Sequence, residues 1–329
     1  MTTPNTIIYG ETKLDLAPQD KPVATLVENM PMAEYHSYGN IAEHPDDFVL
    51  STSMLKEMAD CPQRFEHLYL KGGQKIDVDH INVGSAVHTA ALEPQLFDKA
   101  YFPLPETVTV DGEVKKVIRN ASHKIYKDLL AQASGRKVLT ASDFQNVQGM
   151  AKALANHPIA RGLLDGPGYI EASVFYTCPK TKLRKRVRPD WMRKDGKLGV
   201  NIKTSHSAKP DLFYKTGMDF GYDMGAAMEL EAMEQLFGPD PERNYVLLVI
   251  EAEAPHIISA FDVMRPMSTG NDEDNTPTSY ADVGATRVEK ALARFVDCMN
   301  SGVWPGYLPT VEPMRVPAWM MRRILEKGE

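Results

Sequence analysis

Apolar and polar residues alternate in three short runs near the middle of the chain, at 169–177, 183–191 and 198–204, and these predict three strands. Lys194-Asp195-Gly196 supplies the turn between the second and third, so the three form an antiparallel meander. On either side the apolar positions recur at helical spacing. Leu55, Met58, Phe65, Leu68 and Leu70 follow the hydroxyl cluster Ser51-Thr52-Ser53, which offers N-caps, and Pro62 splits that helix in two. Further helices are predicted over 82–101, 122–133, 142–157, 210–237 and 281–298, a buried strand over 245–250 and one more strand over 257–263. The strand–helix–strand order after the meander is a crossover unit, which sets the strand at 245–250 parallel to a meander strand. The fold class is therefore α/β, a mixed sheet of antiparallel meander plus parallel crossover strand flanked by helices. Residues 1–47 lack sustained periodicity and read as an extended arm with at most a short strand. Residues 48–329 read as one domain, with a mobile polar loop at about 267–279 and a tail at about 301–329.

The polar residues inside the meander carry the chemistry. Asn201 and Lys203 lie two apart in one strand and so share a face, while Val200 and Ile202 point into the opposite layer. On the preceding strand, Pro189 has no N–H for the ladder, which implies an edge or a bulge that re-aims Asp190. Glu171, on the first strand, is placed to join from the side. Phosphodiester hydrolysis needs a hard cation held by carboxylate oxygens, and it gains from a fixed positive charge beside the phosphate. Asp190 fits the first requirement and Lys203 the second, and the carbonyl of Ile202 can add a neutral ligand for Mg²⁺ or Mn²⁺. Gly84, one helical turn before His88, leaves room beside that imidazole, although by itself His88 is more readily an ordinary helix histidine than a ligand.

Composition changes this picture only in part. The 329 residues carry a net charge of −7, yet the stretch 180–197 holds nine basic residues against two acids. Lys182, Arg184, Lys185, Arg186 and Arg188 in it are candidates to meet a DNA backbone, the alternative being a solvated charged hairpin. The three cysteines are widely spaced, which argues against a disulfide framework or a four-cysteine metal site. No apolar run is long enough for a membrane span and the first residues lack a signal-peptide pattern, so a cytoplasmic protein is expected.

Arg188-Pro189-Asp190 followed by Asn201-Ile202-Lys203 resembles the PD-(D/E)XK signature of metal-dependent nucleases. Together with LSTSMLKEMADCPQRF, GSAVH, GYDMGAAMELEA, VIEAEAPH, WPGY and PAW, in that order, the chain resembles the RecE-type exonucleases of phages and prophages. The resemblance implies degradation of linear double-stranded DNA from its ends to leave 3′ single strands, a homo-oligomeric ring, a single-strand-annealing recombinase as partner, and a bacterial host cytoplasm. It also implies His88 as a metal ligand, Asp190 as the first acid, Lys203 as the motif lysine and Glu171 as an additional acid. Three positions depart from the pattern: Asn201 stands where the second acid belongs, and Gly225 and Glu229 stand where glutamine and an aromatic residue are usual. Asparagine keeps the shape of aspartate without its charge, so metal binding should weaken. The chain is then an inactivated variant of an active nuclease, a naturally inactive relative, or an enzyme rescued by another acid such as Glu171 or Glu251. A non-catalytic DNA-end-binding protein and a plain interaction module are the readings from other classes.

Overall fold

A computed structural model describes residues 6–9, 12–15, 23–44, 48–73, 83–120, 122–267, 278–316 and 318–327. The elements that frame the site are, in chain order, β1 (Ala24–Val27), β2 (Leu50–Ser51), α1 (Thr52–Asp60), α2 (Val83–Leu92), α3 (Ala141–Asn156), β3 (Gly168–Ile170), β4 (Ser173–Thr177), β5 (Arg184–Val187), β6 (Trp191–Arg193), β7 (Leu198–Ser205), α4 (Tyr222–Phe237), β8 (Asn244–Glu251), β9 (Ile258–Asp262) and α5 (Tyr280–Ser301). One sheet has the order β9-β8-β7-β6-β3 and a second the order β1-β4-β5-β2. The expected crossover is present: β7 and β8 run parallel in register from Leu198↔Asn244 to Ser205↔Glu251, and β9 pairs antiparallel with β8.

The meander departs from expectation, because two of its three strands are broken. The run 169–177 divides at Glu171, whose φ of 43° lies in the left-handed region, and the run 183–191 divides at Pro189. A proline cannot donate to a ladder and a left-handed residue turns the chain, so both strands leave one sheet and enter the other at the same level. The Glu171 N–H donates to the Asp190 carbonyl at 3.1 Å and ties the two breaks together.

Helices cover both faces of the site sheet. Val200, Ile202, Leu248 and Ile250 bury against Ala86, Val87 and Ala90 of α2 and Val147, Met150 and Leu154 of α3. Tyr245, Leu247 and Val249 face the other way, toward Met224, Met228 and Met233 of α4 and Leu292 and Phe295 of α5. At the start of α1 Ser51 accepts from the Met54 N–H, as its hydroxyl cluster led us to expect, and Ser279 with Asp282 forms a capping box on α5. The helix predicted over 82–101 ends at Leu92 and restarts at Pro94, and that predicted over 210–237 is interrupted at Gly221, which has φ 62°.

The described part of the N-terminal arm is more ordered than its sequence suggests. β1 pairs antiparallel with β4, and Met30 and Tyr35 pack with Val49 and Phe175. Residues 1–5, 10–11, 16–22 and 45–47 of the arm lie outside the described residues, as do 268–277 of the predicted loop. In the tail, Trp304 stacks on Phe65 with ring centroids 5.8 Å apart, while Pro317 lies outside the described residues. Among the described residues no helix is long and apolar enough to cross a membrane.

Candidate nuclease site

β6 pairs with β7 only at Gly199 and Val200, because Pro189 ends the ladder just before Asp190. Beyond that point the edge of β7 is open, and side chains take the place of a strand. Asp190 Oδ2 accepts from the Ile202 N–H at 2.7 Å, and His88 Nε2 donates to the Ile202 carbonyl at 2.9 Å. The other ring nitrogen of His88 lies 3.3 Å from Asp190 Oδ1 and 3.9 Å from Glu171 Oε1. Lys203 Nζ stands 3.7 Å from Asp190 Oδ2, and Arg188 reaches Glu171 at 3.6 Å. The structure thus brings His88, Glu171, Asp190, Ile202 and Lys203 together around one strand edge.

Asn201 and Lys203 face a cavity of about 250 Å³ that is also lined by Lys56, Arg188, Tyr222, Gly225 and Glu229. Three cations on one small cavity suit a polyanionic ligand. Lys56 is pushed down to about 8 by burial and then by the like charge of Lys203. Glu229 is pushed up to about 7, chiefly by burial, against the opposing effects of the Tyr245 hydroxyl and Lys203. Its carboxylate accepts from the Tyr245 hydroxyl and from the Asn201 amide nitrogen, the latter at 3.2 and 3.3 Å from its two oxygens.

Glu229 is the site residue whose role sequence reasoning missed. The available signal was an acid embedded in the apolar run Ala226-Ala227-Met228-Glu229-Leu230, where a charge needs a reason. Glu251, considered as a rescuing acid, is instead engaged by the Ala208 N–H at 2.8 Å and the Ser207 hydroxyl at 3.3 Å.

The basic stripe is corrected by the structure. Arg184, Lys185 and Arg186 are buried, so they do not present a solvated face to DNA. Lys185 pairs with Glu231, and Arg186 donates to the Val49 carbonyl and lies 5.0 Å from the Tyr35 ring centroid. The physical reason is that β5 is an interior strand between β4 and β2, in a sheet with the main core on one face and the Met30 and Tyr35 segment on the other. Lys182 stays exposed in the turn before β5, and Arg188 lines the site cavity while donating to the Met30 carbonyl at 2.9 Å.

The Asp190 carboxylate and the Ile202 carbonyl, both contacted by His88, are oxygen donors that would suit a hard divalent cation better than a soft one. Among the described residues no three His, Cys, Asp or Glu side chains are grouped as a ready cage, and the neutral oxygen at this edge is the carbonyl of Ile202, the residue whose N–H Asp190 accepts.

A mixed sheet of antiparallel strands plus a parallel crossover strand, with helices on both faces, is a PD-(D/E)XK-like fold. Residues 51–316 match the PDDEXK-like domain of unknown function DUF3799, and the chain belongs to that family. No curated protein sequence matches it. Its fold is similar to that of a provisionally named exonuclease from Eubacterium rectale, with a TM-score of 0.55 and 14% identity over 90% of this chain and 98% of that one.

Proposed function

We propose that the chain is a divalent-metal-dependent exonuclease of RecE type that degrades linear double-stranded DNA from its ends. The observation that carries this reading is the convergence of Asp190, the Ile202 carbonyl, His88 and Lys203 at the open edge of β7. A bound Mg²⁺ or Mn²⁺ supplies charge neutralisation at the phosphate and a water of lowered pKa. Asp190, held by the Ile202 N–H, and the Ile202 carbonyl are the chain's own groups toward that ion. Lys203 places a fixed positive charge beside them, and Arg188 and Lys56 extend it across the cavity. Action in a bacterial cytoplasm, 3′-tailed products, a homo-oligomeric ring and a partner recombinase belong to the same reading.

The test compares this chain and Asn201→Asp on linear and covalently closed circular duplex DNA with Mg²⁺ or Mn²⁺. Loss of the linear form alone, by either protein, is the expected result; survival of linear DNA with both proteins and both metals overturns the proposal. Asn201 favours a second reading, a DNA-end-binding protein that does not cut, which predicts salt-sensitive binding and no cleavage even by Asn201→Asp.

Lys56 gives a separate expectation. With its pKa near 8 it is protonated at pH 7 and largely neutral at pH 9. Duplex affinity measured by anisotropy in EDTA should therefore fall over that range, and Lys56→Ala should be weaker at pH 7 with a flatter pH response. The salt slope of log K should become shallower by about one.

A further inference from the structure

We propose that Glu229 supplies the second carboxylate that position 201 lacks, so that strand Asn201 and helix Glu229 together do the work of the usual strand acid. This rests on the nuclease reading. The orientation of the Asn201 amide is set by its surroundings: Oδ1 accepts from the Asp190 N–H at 3.2 Å, which turns Nδ2 toward Glu229. Both Glu229 oxygens are then within 3.3 Å of the atom that would be the second oxygen of an aspartate. At 3.2 and 3.3 Å these are N–H···O hydrogen bonds, so it is the Glu229 carboxylate, and not the amide that points at it, that offers negatively charged oxygen next to position 201.

The other acids face elsewhere: Glu171 is turned to His88 and Arg188, and Glu251 is engaged by the backbone at Ala208, whereas Glu229 is turned to Asn201. Glu229 is only 6% exposed, and its hydrogen-bond partners among the described residues, Tyr245 and Asn201, are neutral. The same helix face is kept open at Gly225, where an added Cβ would meet only Thr52 Cγ2, at 3.8 Å.

The test is Mn²⁺ binding to the full chain, followed by the free-ion EPR signal, for the unmodified protein, Glu229→Gln, Asn201→Asp and the exchanged pair Asn201→Asp/Glu229→Gln. Thermal melts establish that each is folded, and Glu229→Asp substitutes if Glu229→Gln is not. The unmodified chain should bind, Glu229→Gln should bind at least tenfold more weakly, and the exchanged pair should recover most of the loss. Unchanged binding by Glu229→Gln overturns the inference, as does binding by Asn201→Asp but not by the unmodified chain; both leave the nuclease reading intact. Absence of both Mn²⁺ binding and linear-DNA cleavage in all four proteins overturns the nuclease reading itself.

Discussion

Asp190→Asn is expected to lower metal-dependent cleavage of linear duplex DNA by about 10³-fold or more, roughly 4 kcal/mol of transition-state stabilisation. Asparagine can still accept from the Ile202 N–H, so the open edge of β7 keeps its partner and the fold should survive. What is lost is the negative charge that lies between His88 and Lys203. Lys203→Ala should depress cleavage too, but by another route: it removes a cation and no metal-facing oxygen, so Mn²⁺ binding should persist. Single-turnover assays beside Mn²⁺ titrations separate the two variants. Full activity in Asp190→Asn would falsify the assignment of this edge as the site.

Gly284→Ala is expected to destabilise the protein by on the order of 3 kcal/mol, a melting shift of roughly 4 °C. A Cβ at this position in α5 would collide with the carbonyl carbon and oxygen of Asp223, which are backbone atoms of α4 and cannot rotate away. The helices are further tied there by Arg287, which donates to the buried Asp223 carboxylate at 2.7 and 2.9 Å. Because α4 also carries Glu229, relief of the clash should shift that carboxylate and weaken Mn²⁺ binding. Gly225→Ala is the control: with only ordinary contact to Thr52 and a gain in helix propensity of about 1 kcal/mol, it should be neutral or stabilising by thermal melt.

Much of the site was legible in the sequence because it is built from local rules. The two-residue period of a strand puts Asn201 and Lys203 on one face and Ile202 on the other, and a proline before Asp190 stops a ladder wherever it is placed. His88 needed the resemblance, since a histidine in an apolar helix has no local mark of a ligand. Glu229 was visible as an odd acid, but its contact with Asn201 spans 28 residues and depends on how α4 crosses the sheet.

The basic stripe shows the limit from the other side. Charge along a sequence suggests a solvated face, yet β5 runs between two other strands, and its Lys185 and Arg186 find partners in Glu231 and the Val49 carbonyl. Element order, the parallel crossover and the facing of the motif residues were already written in the chain, because each follows from backbone geometry and near neighbours. Which charges meet the cavity, and which acid stands beside Asn201, came only with the folded molecule, because those contacts depend on packing between segments far apart in the chain.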